Sequence, residues 1–264
     1  MITRIVTAAV LIPLVLGALL WGPKWLFLLI GSIFLAAAIW EYLGIVPHYE
    51  AKPLHLSYPL ILALPWVWSY PGEYLMAYLV GSCLVLMAAG LTVSREPRMM
   101  FNSSALGLLS FFYLGLPFAL MGALHPGSEG HPTGGELLLV LTGVWICDSA
   151  AYFAGRSLGR HHVTPQISPG KTLEGFACGF LLGGAFVAVM SIRYLDLPII
   201  VGLSLGLVIP LATMGGDLFE SALKRGAGIK DTSQLIPGHG GVLDRIDSLL
   251  FAVPGYFVVV SFLH

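Results

Sequence analysis

The chain has 264 residues, 57% hydrophobic and 10% charged, with a mean hydropathy of +0.86 and a formal net charge of −1. Soluble domains carry about 25% charged residues, so this composition excludes a water-soluble globular protein. The small net charge identifies no partner, because the charges are local, and no nucleic-acid partner is expected.

Apolar runs recur at close to the length that spans about 30 Å of hydrocarbon. Nine candidate spans follow in chain order at about 4–20, 25–45, 55–69, 74–93, 104–123, 136–155, 173–192, 198–215 and 248–263. The first, with Arg4 ahead of an apolar run, looks like a signal peptide. It lacks a convincing small-residue cleavage site and more spans follow, so it reads as a retained first span. The third is short and holds Pro59 and Pro65, which predicts a kinked, tilted or partly re-entrant segment. Cys83, Cys147 and Cys178 all lie in apolar runs without a C-x-x-C pair, which excludes a disulfide framework or zinc site. The expected fold is an all-α integral membrane protein, a polytopic bundle of about nine transmembrane helices. Residues 1–135 hold about five spans. Residues 136–264 hold the chemistry, with polar connections at 156–172 and 216–247.

Lys and Arg set the orientation. With the N-terminus cytoplasmic, eleven of the thirteen basic residues fall in inside segments; Lys24 and Arg193 are the two outside. Both polar connections then face the cytoplasm.

Ionisable groups are costly at membrane depth, so the dense set between Gly216 and Ser248 marks a functional site. Asp217, Glu220, Ser221 and Lys224 share one face if a helix continues past Gly216; Lys224 paired with Glu220 on a solvated helix end is the plainer alternative. Asp244 and Asp247 sit three apart on one helical turn. Paired carboxylates suit Mg²⁺, although acidic residues at a helix start need no metal. The loop Pro237-Gly238-His239-Gly240-Gly241 precedes that turn. Glycines and a helix N-terminus can approach phosphate, or can simply form a turn. Lys224, Arg225, Lys230 and Asp231 form a charged arm suited to polyphosphate or to anionic lipid. Asp148, late in the sixth span, needs a cation or metal. In the stretch Ser168 to Gly175, Lys171 can reach a phosphate, Ser168 or Thr172 can cap the next helix, and Glu174 suits its first turn. Glu41 reads as an interfacial residue near the cytoplasmic end of the second span, Trp66 and Trp68 as an interface belt, and His125 and His131 as outer-loop residues without ligand spacing.

Residues 221–247 read S-A-L-K-R-G-A-G-I-K-D-T-S-Q-L-I-P-G-H-G-G-V-L-D-R-I-D. This resembles the signature of the CDP-diacylglycerol synthases, or phosphatidate cytidylyltransferases: S-x-L-K-R-x4-K-D-x-S-x2-I-P-x-H-G-G-x2-D-R-x-D. The upstream D-S-A-A-Y-F-A-G and S-P-G-K-T-L-E-G resemble that family too, with Leu173 where it often has Trp and Ser149 where it often has Thr. Residues 1–140 carry no diagnostic motif. The resemblance implies transfer of a cytidylyl group from CTP to phosphatidic acid, giving CDP-diacylglycerol and pyrophosphate. It implies Mg²⁺, with K⁺ as an assisting ion, and Asp217, Asp244 and Asp247 as metal-binding carboxylates. Asp217, Asp244, Asp247, Lys224 and Arg225 are then the catalytic set. Asp148, Ser168, Lys171, Lys230, Asp231, His239, Gly240, Gly241 and Arg245 serve the substrates. The expected location is a bacterial cytoplasmic (inner) membrane with the site facing the cytoplasm, and a homodimer is compatible with the sequence. The rivals are a CTP-dependent lipid kinase, a cytidylyltransferase for a related lipid, and a cation-coupled transporter.

Overall fold

The computed structural model describes residues 9, 13–69, 74–125, 135–236, 238 and 240–263. Among these, seven helices are long and apolar enough to cross a membrane, and the chain is an all-α integral membrane protein. Most of the span expected at 4–20 lies outside the described residues; its end, 13–20, is helical. The segment expected at 55–69 is helical over 13 residues, Ser57–Ser69. At about 1.5 Å per residue its rise is about 20 Å, short of the roughly 30 Å of hydrocarbon.

The chain divides into two compact units: Met1–Pro132 with Gly226–Arg245, and Thr133–Arg225 with Ile246–His264. The first holds α1 (Lys24–Ile45), α2 (Ser57–Ser69), α3 (Tyr74–Thr92), α4 (Pro97–Ser110) and α5 (Leu116–Ala123). Its core is aliphatic and aromatic, with Leu35, Ile39, Ile61, Leu64, Phe111 and Leu114 fully buried. Polar groups at the helix contacts find backbone acceptors: Tyr42 donates to the Leu106 carbonyl, Tyr58 to that of Ala36 and Tyr78 to that of Leu60. Trp66, read as part of an interface belt, donates its indole N–H to Ser32 Oγ at 3.0 Å. His125 is buried beside the Phe27 ring.

A π-helical turn, Phe111–Gly115, joins α4 to α5 and makes one continuous element from Pro97 to Ala123. Pro117 is the cause. It has no N–H for the Tyr113 carbonyl and its ring would crowd that oxygen in an α-helix. Widening the turn, with Leu116 N–H donating to the Phe111 carbonyl, relieves the crowding.

The second unit holds α6 (Gly135–Leu158), a hairpin of β1 (His162–Thr164) and β2 (Ser168–Thr172), α7 (Leu173–Tyr194), α8 (Ile199–Gly226) and most of α9 (Leu243–Leu263). Small residues let these helices approach closely, as membrane packing favours. A Cβ on Gly183 would strike the Cys147 thiol, and one on Gly206 would lie 2.7 Å from the Gly184 carbonyl oxygen. The region 156–172, expected as a polar connection, ends α6 and then folds into the hairpin, with His162 opposite Thr172 and Thr164 opposite Ser168.

The stretch 216–247 is not a single connection. Its first part completes α8, so the helix does continue past Gly216, and its last residues open α9. Among the described residues, those between 227 and 242 lie outside both helices.

Candidate active site

The second unit contains an open cleft of about 240 Å³ whose walls include Asp148, Tyr152, Lys171, Phe176, Met214 and Asp217. Each wall has a local reason for its position. Thr172 caps α7, its hydroxyl accepting from Gly175 N–H at 3.2 Å, which ends β2 and fixes Lys171 one residue ahead of the cap. Of the two capping candidates, Thr172 is therefore the cap, and Ser168 sits in the hairpin as the partner of Thr164. Glu174, in the first turn of α7, accepts the N–H groups of Arg160 and His161 and pairs with the His161 ring at 2.6 Å. That contact closes the base of the hairpin.

Lys171 Nζ lies 2.7 Å from Asp217 Oδ2. Asp148 lies within electrostatic reach of both. Asp247 interacts with Asp217, Asp148 and Lys224. Gly216 explains how Asp217 and Asp247 come near each other. A side chain there would sit 2.5 Å from the Asp247 carbonyl oxygen and 3.1 Å from Ser248 Cα, so α8 and α9 meet backbone to backbone at that level. Lys224 is paired with the buried Glu220 at 2.5 Å, in the i,i+4 arrangement anticipated. Arg225 donates Nε–H to the Ile167 carbonyl at 3.2 Å, tying the end of α8 to the hairpin turn. Among the described residues, no three His, Cys, Asp or Glu side chains gather into a metal-holding group.

The first unit carries the rest of the signature. Lys230, Asp231 and Arg245 are exposed there, and His239 lies outside the described residues. Gly240 has φ +85°, a left-handed conformation suited to glycine, and its carbonyl accepts from Ile236 N–H. Asp244 Oδ2 accepts from Thr232 N–H, from the Thr232 hydroxyl and from Gly241 N–H at 2.8 to 3.3 Å. Expected as a metal ligand, Asp244 thus commits one oxygen to holding the loop.

Glu41, read as an interfacial residue near the end of its span, lies four residues before the end of α1 and is 2% exposed. Its carboxylate accepts Val242 N–H at 2.8 Å and Leu243 N–H at 2.7 Å, with the hydroxyls of Thr232 and Ser233 beside them. The N–H groups at the start of α9, expected to meet phosphate, are engaged by Glu41. That of Gly241 is engaged by Asp244. Sequence reasoning missed this residue; its one signal was a carboxylate inside an apolar run.

The chain matches the cytidylyltransferase family over residues 2–263. It belongs to that family. This cytidylyltransferase is 31% identical over 274 aligned residues to a Thermotoga maritima protein named phosphatidate cytidylyltransferase, covering 99% of this chain and 97% of the relative. A Staphylococcus saprophyticus protein of the same name is 36% identical, covering 74% of this chain and 73% of the relative. A third, from Staphylococcus epidermidis, is 40% identical over 62% of this chain and 61% of its own.

Proposed function

We propose that this nucleotidyltransferase moves a cytidylyl group from CTP to phosphatidic acid, releasing pyrophosphate and leaving CDP-diacylglycerol in the membrane. The family match and the relatives' names support it. The observation that carries it is the cleft of the second unit: Lys171, Asp217 and Asp148 stand beside Tyr152, Phe176 and Met214, so charged and apolar walls share one opening. A phospholipid headgroup needs that combination.

The lipid phosphate is already anionic near neutral pH, so no strong general base is required. Its oxygen attacks the α-phosphorus of CTP in line, and the bond to the pyrophosphate oxygen breaks. Repulsion between the two anions is the barrier to overcome. Lys171 and Lys224 supply positive charge against it, and positioning supplies much of the rate. Arg225 holds the hairpin from which Lys171 projects. Lys230, Asp231, His239, Gly240, Gly241 and Arg245 are proposed to serve the nucleotide, on the strength of the signature.

The donor set fits Mg²⁺. Asp217 and Asp247 offer hard oxygens, and Mg²⁺ commonly takes one or two carboxylates with substrate phosphates completing its shell. When bound, the ion would neutralise triphosphate charge and polarise the α-phosphorus. Asp244 is proposed as a loop-holding residue rather than a third ligand.

We also propose that the N-terminus, the hairpin and the loop 227–242 lie on the cytoplasmic side of a bacterial inner membrane, where CTP is available. The distribution of Lys and Arg supports this. The experiment is α-labelled CTP with phosphatidic acid in micelles over a Mg²⁺ titration, with and without K⁺. Labelled lipid and free pyrophosphate are expected, and Asp217→Asn and Asp247→Asn each lower the rate by about 100-fold or more. Release of CDP in place of pyrophosphate would identify a lipid kinase, and near-normal activity in both variants would sink the metal assignment.

A further inference from the structure

The loop 227–242 contains the most specific part of the signature, yet its packing is set from outside the motif. Residues 232–233 are the sixth and seventh of its sixteen, and 242–243 form its junction with α9. Glu41, four residues before the end of α1, takes a hydrogen bond from each of these four residues. Oε1 accepts from Ser233 Oγ at 2.6 Å and Val242 N–H at 2.8 Å. Oε2 accepts from Thr232 Oγ1 at 3.2 Å and Leu243 N–H at 2.7 Å. Each carboxylate oxygen therefore receives one hydroxyl and one backbone donor, and each joins residues 232–233 to the start of α9.

A buried carboxylate in an apolar helix is expensive unless its acceptor sites are filled. Here the four donors fill the roughly four sites that a carboxylate has. They also place it at the N-terminus of α9, where the helix dipole favours negative charge. With its acceptor sites committed and only 2% of its surface exposed, Glu41 is unsuited to touching substrate. Inside the clamp, Asp244 Oδ2 draws Thr232 and Gly241 together, and Ile236 N–H bonds the Gly240 carbonyl at 2.9 Å. Gly241 is required at this point: a Cβ would strike the Thr232 hydroxyl and come within 2.9 Å of the Glu41 carboxylate.

We propose that Glu41 is a positioning residue for the cytidylyl-transfer reaction. It ties Thr232 and Ser233 to the junction of the loop with α9, so that the loop is held ready for the nucleotide. The part that concerns the nucleotide rests on the function proposed above; the clamp does not.

The test uses the full chain in detergent micelles. Glu41→Gln keeps the shape but turns an amide NH₂ toward groups that are themselves donors, and Ser233→Ala removes one of the four bonds. Two readouts are followed. The first is trypsin cleavage after Lys230, which is exposed two residues before the clamp, with cleavage after Arg160 beside the hairpin as the internal reference. The second is the KM for CTP and for phosphatidic acid, measured separately. In Glu41→Gln, cleavage after Lys230 should accelerate about tenfold, as for a locally opened segment, while Arg160 is cut at the wild-type rate. The KM for CTP should rise about tenfold, as when a binding loop loses pre-organisation, with the KM for phosphatidic acid unmoved. Ser233→Ala should shift both readouts in the same direction by less.

Equal acceleration at both trypsin sites would show general destabilisation and overturn the proposal. So would unchanged cleavage after Lys230, or a loss confined to kcat. If the wild-type protein forms no labelled lipid from CTP, the function reading fails, and cleavage after Lys230 still decides the clamp.

Discussion

Lys171 and Asp217 meet at 2.7 Å in the wall of the cleft, with side chains 15% and 37% exposed and the Lys171 ammonium itself buried, so the pair holds that wall as well as lining it. Lys171→Gln should therefore lower kcat/KM for CTP by about 100-fold or more and lower the melting temperature in detergent as well, because Asp217 loses its partner. Lys171→Arg should not restore activity, because a planar guanidinium cannot take the place of a compact ammonium on a flexible stem. Gly216→Ala acts by crowding instead. Its methyl group would meet the backbone of Asp247 and Ser248 rather than a side chain that can swing away. Overpacking of that kind costs about 1–3 kcal/mol, and activity should fall with stability; thermal unfolding and the CTP assay on one preparation would check both. Asp148, Lys171 and Asp217 were legible in the sequence because each is an ionisable group abutting an apolar run. Glu41 was not legible as a clamp. Its partners lie 191 to 202 residues downstream, and no local pattern encodes a contact across that separation.

At the scale of elements, hydropathy marked the apolar parts of the helices and misjudged where they stop. The spans expected at 25–45, 74–93, 136–155 and 173–192 overlie helices from Lys24, Tyr74, Gly135 and Leu173. α8 was expected to end as a span near residue 215, and it runs on to Gly226. There Leu218, Phe219, Ala222 and Leu223 keep an apolar stripe at helical spacing while the remaining positions turn polar. The hairpin was hidden for a different reason. Ser168–Thr172 contains Pro and Gly, which weaken a strand, and it is closed by Leu173 N–H donating to the His161 carbonyl at 2.8 Å and by Glu174. Thr172→Val should remove the α7 cap at a cost of about 1 kcal/mol. Glu174→Gln should raise amide exchange across 160–172 and leave α7 beyond its first turn protected; exchange mass spectrometry on the intact protein would show it.

For the whole molecule, orientation is the first quantity to measure. α7 has 22 residues, so at about 1.5 Å each its two ends stand roughly 33 Å apart, far enough to reach across the hydrocarbon. In a background lacking Cys83, Cys147 and Cys178, Gln166→Cys should react with an impermeant maleimide only from the cytoplasmic side. Asp196→Cys should react only from the other. The reverse pattern would invert the proposed topology. The glycines at the helix contacts of the second unit have a practical consequence for anyone who wishes to harden this protein for biochemistry. Replacing helical glycine by alanine is a standard route to a tougher helix, worth about 0.5–1 kcal/mol where space allows. At Gly183 and Gly206 that route is closed, since the added methyl group would collide with Cys147 or with Gly184 and Ala188. At Gly44 and Gly81 nothing lies within 4 Å of the new atom. The double variant Gly44→Ala, Gly81→Ala should outlast the natural chain on heating in detergent, with its turnover of CTP intact.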